Sequence, residues 1–290
     1  MLSVLNDIPH FQKADGFPRI VHLTWKNSEI PNQWNVSKPA WERLHPEWLI
    51  ILWTDEMIAS FVKFQCPSRF TFWNGLRYNI QKVDVFRYLV LEKYGGVYCD
   101  LDIEPIHSID SLIDAYFKIG GRVLLSESGV HHKPISLTNA FMVSVPNHPY
   151  WTTLWKCLVS PLKYAPIYKN VIAVTRHFTI IMKTGPGAIS DAYMLHRHEF
   201  PSTCDAVLTI PRQFFQPNPH WTPKPCTAPG AYVRLLTGGS WHGAEDRLTT
   251  ILDHVWHVRD MWIFPLCACF VVLWIVFMVL YCKGRKHIKI

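Results

Sequence analysis

Two aspartates near the middle of the chain have the residue type and spacing best suited to chemistry. Asp100 and Asp102 close the segment Tyr94-Gly-Gly-Val-Tyr-Cys-Asp-Leu-Asp102, in which a glycine pair ends a helical pattern and a short apolar strand leads to the acids. Residues two apart on a strand point to the same face, so both carboxylates are expected side by side. They repel each other unless a cation lies between them, and hard oxygen ligands favour Mn²⁺ or Mg²⁺. By itself the Asp-x-Asp pattern is weak, because it is frequent by chance and can simply cap a turn.

A second charged pair lies on the helical pattern just before this segment. Asp84 and Arg87 are three residues apart and therefore share one helix face. The spacing favours an ordinary ion pair on a solvated surface, which contributes only a few tenths of a kcal/mol to stability. The functional alternative is that Asp84 binds the hydroxyls of a sugar or ribose and that Arg87 contacts the same ligand.

Two glycine-rich segments are further candidates for ligand contacts. In Leu236-Thr-Gly-Gly-Ser-Trp-His242 the glycines allow a close backbone approach, and the imidazole of His242 suits a metal ion or a phosphate. One histidine among 15 is more often structural. Thr184-Gly-Pro-Gly-Ala-Ile-Ser190 stands at a helix start, where backbone N–H groups can meet an anion or a hydroxyl. Because this segment lacks the lysine of a P-loop, a P-loop is excluded.

The elements that must position these residues alternate between strand and helix. Strands are expected at residues 17–25, 48–53, 97–103, 122–126, 141–145, 207–210 and 232–236. Helices are expected around 39–44, from 54 onward, and at 83–94, 150–159 and 170–182. This alternation predicts an α/β fold with a mostly parallel sheet. Such sheets place their ligand crevice at the carboxyl ends of the strands, where Asp100 and Asp102 would lie.

The chain ends in a segment that is typical of a membrane. Residues 261–282 contain no charged side chain, and about 20 apolar residues suffice for a helix to cross a bilayer. A transmembrane helix is predicted there; the alternative is a buried core helix. Residues 1–260 then form one large domain, and residues 283–290 a basic tail with four of the 29 Lys and Arg residues. A basic cytoplasmic tail would put residues 1–260 in the lumen.

The amino-terminal residues conflict with that orientation. The first ten residues include no apolar stretch of signal-peptide length. Three explanations stay open. The carboxyl-terminal helix directs translocation of the domain, a signal is absent from this version of the chain, or the domain is cytosolic. Asn35-Val-Ser37 is the one glycosylation sequon that can report the side of the membrane.

Charge and cysteine content argue against two classes of function. Outside the tail, 25 basic residues face 22 acidic ones, and no basic stripe is interleaved with aromatic residues, so nucleic-acid binding is not expected. Eight cysteines include no C-x-x-C pair, which disfavours a zinc knuckle. Cys204 and Cys226 would be able to pair in an oxidising lumen. The alternative, which fits the sequence equally well, is that these cysteines are all free thiols and that Cys99 lies in a core strand.

The motifs occur together, in order, from about residue 17 to 248. They are Pro18-Arg-Ile-Val-His-Leu-Thr-Trp25, Ile30-Pro31, Leu52-Trp-Thr-Asp-Glu56, Asp84-Val-Phe-Arg-Tyr88, Tyr94-Gly-Gly-Val-Tyr-Cys-Asp-Leu-Asp102, Asn139-Ala-Phe-Met-Val-Ser-Val-Pro-Asn-His-Pro149, Thr184-Gly-Pro-Gly187 and Gly239-Ser-Trp-His242. This set resembles the DxD sugar-binding family of fungal mannosyltransferases, and within it the catalytic subunits that mannosylate inositol phosphorylceramide.

The resemblance implies a GT-A-like, Rossmann-type mixed sheet with flanking helices, a GDP-mannose donor, Mn²⁺ (or Mg²⁺) and retention at the anomeric carbon. It places Asp100, Asp102 and His242 around the metal and the diphosphate. The residues that it assigns to the donor are His22, Thr24, Trp25, Asp84, Arg87, Tyr88, Asn139, Gly185, Gly187, Ser240 and Trp241. Ala140 departs from the acidic residue that the family often has after the asparagine, which puts the acceptor side in doubt.

The expectation is therefore a Golgi or other endomembrane glycosyltransferase with residues 1–260 as its catalytic domain. The membrane segment favours a lipid acceptor, and whether a regulatory subunit is needed stays open. The alternatives are a hexosyltransferase that acts on protein-linked glycans, a transferase that uses a UDP-sugar, and a non-catalytic membrane protein of the same fold. A glycoside hydrolase would need two carboxylates across a sugar and no metal.

Overall fold

The computed structural model describes residues 17–128, 136–161, 176–201, 206–215 and 229–237. All of them belong to the first of two compact units, Met1–Trp241. Several predicted features lie outside the described residues, namely Ser240, Trp241, His242, the cysteines Cys204 and Cys226, the apolar segment 261–282 and the tail 283–290. In the described part, no helix is long and apolar enough to span a bilayer.

A six-stranded mixed sheet forms the centre of the fold. Its strands are β1 (Ile20–Thr24), β2 (Leu49–Trp53), β3 (Gly96–Cys99), β5 (Gly121–Glu127), β6 (Leu137–Ser144) and β7 (Ala206–Ile210), in the order β2-β1-β3-β6-β5-β7. The pairs β1–β2, β1–β3 and β5–β7 are parallel, whereas β6 is antiparallel to both of its neighbours. A separate antiparallel pair joins β4 (Ile103–Pro105) to β8 (Val233–Leu235).

Nine helices are described around these strands. They are α1 (Ser37–Leu44), α2 (Asp55–Gln65), α3 (Pro67–Asn74), α4 (Asn79–Tyr94), α5 (Asp110–Lys118), α6 (Pro149–Val159), α7 (Arg176–Lys183), α8 (Pro186–Glu199) and α9 (Arg212–Phe215). The start of α2 follows the sequence expectation, because the Thr54 side chain accepts a hydrogen bond from the Met57 N–H.

Each face of the sheet has its own apolar core. Side chains of α2, α3, α4, α6 and α8 pack on one face, around Trp53, Phe86 and Trp151. The other face is covered by α1, α5 and α9, with Trp41 and the stacked rings of Phe141 and Phe215 at its centre. The expected α/β class with helices flanking a mixed sheet is confirmed.

The reversed strand β6 decides which chain segments share the ligand edge. Because β6 runs opposite to β3 and β5, its first residues lie at the edge where β1, β2, β3, β5 and β7 end. Asn139 near the start of β6 is thereby brought to the same edge as Asp100, which follows β3.

Candidate active site

The glycine pair before the aspartates fixes where β3 begins. Gly95 and Gly96 have φ of 67° and 88°, which only glycine adopts readily. A Cβ on Gly95 would lie 2.7 Å from the Ser144 carbonyl oxygen, and one on Gly96 would lie 2.6 Å from that of Ile20. Both conformation and space therefore require glycine at these positions, and the sharp bend turns α4 directly into β3.

Asp100 and Asp102 lie on a turn rather than on the expected strand. β3 ends at Cys99, the Asp100 N–H donates to the Ala140 carbonyl (2.8 Å), and the Ile103 N–H donates to the Asp100 carbonyl (3.1 Å). The prediction of a continuous strand through residue 103 is thus wrong. Aspartate favours turns because its side chain competes for backbone hydrogen bonds. The turn, and not strand alternation, determines where the two carboxylates lie.

Asp100 is held from two sides. Its Oδ1 accepts a hydrogen bond from the Tyr98 hydroxyl at 2.8 Å and pairs with Nη1 of Arg87 at 3.1 Å. Since the Tyr98 hydroxyl donates to Asp100, it accepts from the Thr24 hydroxyl, 3.0 Å away. The side chain of Asp100 is still 32% exposed, so its other oxygen can meet a ligand.

Asp102 is the less restrained carboxylate of the pair. It is half-buried, and among the described residues no side chain donates a hydrogen bond to it. Burial, followed by the neighbouring Asp100 carboxylate, raises the pKa of Asp102 well above its ordinary range. A divalent cation would remove that repulsion, and all-oxygen donors suit Mg²⁺ or Mn²⁺. The donor set therefore fits the implied metal, although no cluster of three acidic, histidine or cysteine ligands occurs within the described ranges.

Asp84 and Arg87 are buried, which corrects the interpretation of a solvated surface pair. Their side chains are 4% and 3% exposed, and Arg87 Nη2 lies 3.2 Å from Asp84 Oδ1. Burial raises the pKa of Asp84 to about 6, although the Arg87 charge opposes the shift. Burial acts against the charged form of Arg87, yet the carboxylates of Asp100 and Asp84 raise its pKa overall. Arg87 also lies over the Tyr98 ring, 4.5 Å from its centroid.

Three further side chains tie this pair to β6 and to the start of α8. Asn139 accepts from Arg87 through its carbonyl (2.7 Å), and its amide donates to Asp84 (2.9 Å) and to the Tyr88 hydroxyl (3.0 Å). The Thr184 hydroxyl donates to the second Asp84 oxygen (2.9 Å), and Tyr88 donates to the Thr184 carbonyl (2.6 Å). We call the connected set the polar network; its members are Asp84, Arg87, Tyr88, Tyr98, Asn139 and Thr184, with Asp100 at its exposed end.

The predicted glycines of the 184–190 segment have a packing role. A Cβ on Gly185 would lie 3.1 Å from the Ile180 carbonyl oxygen, and one on Gly187 would lie 2.9 Å from that of Ile181. These glycines let α8 begin directly against the end of α7. The same close approach brings Thr184 to Asp84.

The three candidates on β1 differ in where they lie. His22 is fully buried, accepts from the Trp53 indole N–H (3.1 Å) and donates to the Gly95 carbonyl (3.0 Å), so it is a neutral core residue that supports the glycine bend. Thr24 reaches the site through Tyr98. Trp25 is half-buried against the edge of Trp34, and its indole N–H has no hydrogen-bond partner among the described residues.

Six of the predicted site residues lie together in the structure, namely Asp84, Arg87, Tyr88, Asp100, Asp102 and Asn139. Thr24 is connected to them only through Tyr98. Tyr98 and Thr184 were not among the predicted site residues. The signal for Tyr98 was its position two residues before Asp100. Thr184 is the first residue of a glycine-rich motif in which the sequence assigned a role only to the glycines.

Comparison with known proteins defines the class. Residues 31–118 match the family described as "Glycosyltransferase sugar-binding region containing DXD motif". This stretch includes Asp84, Arg87, Asp100 and Asp102, that is, both carboxylates of the turn and the buried ion pair behind them. Over this stretch the chain is similar to the DXD-motif glycosyltransferases, which agrees with the family resemblance, and the enzymatic class expected from the sequence, a glycosyltransferase, is confirmed.

Related proteins indicate which glycosyltransferases this chain is similar to. The chain is 28% identical to inositol phosphoceramide mannosyltransferase 1 of Schizosaccharomyces pombe over 98% of its own length and 81% of that protein. It is 29% identical to inositol phosphoceramide mannosyltransferase 2 of the same organism (84% and 63% covered). With mannosyl phosphorylinositol ceramide synthase CSH1 of Saccharomyces cerevisiae it shares 28% identity (82% and 56% covered). The chain thus spans less than two thirds of the latter two relatives.

Proposed function

We propose that this glycosyltransferase transfers mannose from GDP-mannose to an inositol phosphorylceramide-type lipid, with retention and with Mn²⁺ as the metal. The observation that carries the proposal is the turn with two carboxylates at the ligand edge of the sheet, backed by the buried Asp84–Arg87 pair. The choice of sugar and acceptor is supported by the names of the relatives.

Asp100 and Asp102 would hold the divalent cation, with His242 as a further ligand of the metal or the diphosphate. When bound, the cation neutralises the charge that develops on the departing nucleoside diphosphate. Tyr98 orients Asp100 by its hydrogen bond, which leaves the second Asp100 oxygen available for coordination.

Arg87 would contact the donor, and Asp84 would hold Arg87 in place. The two Asp84 oxygens already accept from Asn139 and Thr184, and one of them pairs with Arg87, which fixes the buried guanidinium in place. A buried, oriented cation stabilises developing negative charge more than a solvated one, because it needs no reorganisation during the reaction.

Retention is proposed to proceed on one face of the sugar. The acceptor hydroxyl attacks the oxocarbenium-like sugar from the side that the diphosphate leaves, and the leaving phosphate takes the proton. No protein nucleophile is needed in this route. We also propose an endomembrane location, with the segment 261–282 as a membrane anchor and residues 1–260 in the lumen, where the lipid acceptor and the catalytic domain share one membrane surface.

Donor hydrolysis in the absence of acceptor tests the proposal. The full chain is incubated with Mn²⁺ and a panel of GDP- and UDP-sugars, and then with inositol phosphorylceramide in mixed micelles. GDP-mannose is expected to be hydrolysed fastest, and EDTA is expected to abolish the reaction. Turnover of a UDP-sugar in preference to GDP-mannose would refute the donor assignment, and metal-independent cleavage of glycosides would indicate a hydrolase.

A further inference from the structure

A group of cations lies at the start of α4 and α7, outside the polar network. The guanidinium of Arg77 is 5.1 Å from the centroid of the Tyr78 ring, and that of Arg176 is 5.7 Å from the same centroid. One turn further along α4, the ammonium of Lys82 lies 5.1 Å from the Trp73 ring. We call Arg77, Tyr78, Lys82 and Arg176 the basic rim.

The basic rim stands above the ligand edge of the sheet. Arg87 pairs with Asp100, so this part of α4 is level with the end of β3. The nine residues from Tyr78 to Arg87 extend α4 beyond that level by about 13 Å, at 1.5 Å of rise per residue. The rim therefore lies at the amino-terminal end of α4, beyond the edge of the sheet at which β3 ends.

Helix α7 runs beside this part of α4 and brings the second arginine to the rim. Thr184, just after α7, bonds to Asp84, whereas Arg176 at the other end of α7 lies over Tyr78. The two helices therefore run in the same direction from the rim toward the polar network. A ligand that contacts Arg77 and Arg176 would be aligned with the axis that leads to Asp84 and Asp100.

The charges of the rim are suited to a phosphate. Arg77 is exposed, and among the described residues neither Arg77 nor Lys82 forms an ion pair. One acid is bonded to this region: Asp55 accepts a hydrogen bond from the Asn79 amide at 3.1 Å. Arg77 is exposed beside the Tyr78 ring, so its N–H edge is available, and that edge matches two phosphate oxygens.

We propose that the basic rim binds the phosphodiester of the acceptor lipid. This inference rests on the proposed function and adds the acceptor subsite to it. Asp100, Asp102 and Arg87 would act on the donor diphosphate, so the two rim arginines beside Tyr78, about 13 Å further along α4, would bind a second phosphate. In a phosphoinositol lipid the headgroup ring separates that phosphate from the hydroxyl that receives the sugar, which places the phosphate away from the carboxylates.

Direct binding of the headgroup is the first test. Glycerophosphoinositol, free inositol and inorganic phosphate are titrated calorimetrically into the full chain without donor, and into Arg77→Gln, Arg176→Gln and the double variant. We expect glycerophosphoinositol to bind, free inositol to bind more weakly, and each single substitution to weaken glycerophosphoinositol binding by about tenfold, as for a charge-assisted contact that is partly screened by solvent. Inorganic phosphate binding that falls in parallel would identify the phosphate as the recognised group.

Arg69→Gln is the matched control. Arg69 also stacks on an aromatic ring, 4.1 Å from the centroid of Trp155. Its charge interacts with the carboxyl group of Glu92 in the last turns of α4, at the opposite end from the rim. Headgroup affinity is expected to be unchanged in this variant, although the net charge changes by the same amount.

Kinetics distinguish failure of this inference from failure of the proposed function. We expect Arg77→Gln to raise the KM for inositol phosphorylceramide about tenfold while the KM for GDP-mannose changes less than twofold. Absence of GDP-mannose hydrolysis in the unaltered chain would refute the proposed function, and the headgroup titration would still decide whether the rim binds phosphate.

Three results would overturn the inference while the proposed function stood. The first is wild-type headgroup affinity in the Arg77→Gln/Arg176→Gln variant. The second is an equal loss of donor and acceptor affinity, which would assign the rim to the donor. The third is loss of binding to phosphatidylserine vesicles with unchanged headgroup affinity, which would make the rim a membrane contact.

Discussion

At the scale of single residues, the two aspartates of the turn have different surroundings. Asp100 is fixed by Tyr98 and Arg87, whereas among the described residues no side chain holds Asp102. Asp102 is thus a carboxylate whose charge is opposed by burial and by its neighbour, and a backbone hydrogen bond and the Arg87 charge offset this only in part. Such a residue reduces stability in the absence of a cation and is useful only when a cation is bound.

Substitution of Asp102 by asparagine is expected to separate activity from stability. Transfer falls by roughly a hundredfold or more, because half of the predicted cation site is lost. The melting temperature of the metal-free variant stays equal or rises, since the change is isosteric and removes a like-charge repulsion. Transfer assays with Mn²⁺ and thermal unfolding in EDTA measure both. Near-normal transfer by the variant in EDTA would contradict the metal model.

Replacing Tyr98 by phenylalanine tests the positioning of Asp100. The ring under Arg87 is kept, and only the hydroxyl that donates to Asp100 is lost. We expect the Mn²⁺ concentration for half-maximal activity to rise about fivefold, the equivalent of one hydrogen bond of about 1 kcal/mol, with a smaller change in kcat at saturating metal. Thr24→Val, which removes only the contact to Tyr98, is expected to have a weaker effect. An unchanged metal activation curve for the phenylalanine variant would assign Tyr98 a structural role only.

At the scale of elements, the junction of α4 and β3 determines the site. The helix carries Asp84, Arg87 and Tyr88, and the strand leads to the carboxylate turn, so the bend at Gly95 and Gly96 sets the distance between the two groups. His22 supports the bend from β1 by donating to the Gly95 carbonyl. The bend is therefore both a folding feature and a part of the geometry of the candidate active site.

Gly95→Ala should disrupt this junction. The substitution places a side chain at φ 67°, with its Cβ 2.7 Å from the Ser144 carbonyl oxygen, and we expect a loss of roughly 3 kcal/mol or more. Gly230→Ala is the matched control: φ is 79°, but no atom lies within 4 Å of the added Cβ, so a cost of about 1 kcal/mol is expected. Chemical denaturation measures both. Equal losses would show that backbone conformation, rather than the close approach, requires glycine.

The buried His22 predicts a dependence of stability on pH. Burial lowers its pKa from 6.5 to about 4, although the bond to the Gly95 carbonyl opposes the shift. A group whose pKa is depressed by folding stabilises the protein fully above pH 6.5, and this contribution is lost as the pH falls toward 4. It amounts to about 3 kcal/mol. Denaturation between pH 7.5 and 4.5 should show the loss, and His22→Gln should reduce the slope; an identical slope would refute the assignment.

At the scale of the whole molecule, the polar network joins α4, β3, β6 and the α7–α8 junction. Its members are up to 100 residues apart in sequence, so the site exists only in the folded domain. The proposed side of the membrane is also a property of the whole molecule, because it determines whether this domain folds in the lumen or in the cytosol.

The sequon at Asn35 reports the side of the membrane. Asn35 is exposed, whereas the hydroxyl of Ser37 is buried and donates to the Ile103 carbonyl at 2.7 Å. A glycan must therefore be added before Ser37 packs, and Asn35→Gln is a cleaner variant than a change at Ser37. We expect an endoglycosidase to shift the band of the membrane-bound protein by one glycan, and no shift for Asn35→Gln. Digestion of residues 1–260 by protease added outside sealed Golgi vesicles would contradict the lumenal orientation.

The sequence by itself determined the local features of this protein. Periodicity and turn chemistry predicted most of the strands of the central sheet, the Thr54 cap, the glycine bend and the acidic pair. The helices α3, α5 and α9 were not predicted, since short helices that rely on packing carry a weak pattern. Local patterns are informative because caps, glycine conformations and apolar alternation act between residues a few positions apart.

Only the tertiary structure decided how these features meet. Spacing made Asp84 and Arg87 a surface pair, and the family resemblance made His22 a ligand contact. In the structure α4 is buried on the sheet and β1 is paired on both sides. The antiparallel insertion of β6 between β3 and β5 brings Asn139 to Arg87, and no local pattern records that choice. Burial turns an ion pair of little energetic weight into a fixed charge beside the carboxylate turn, because solvent no longer screens it.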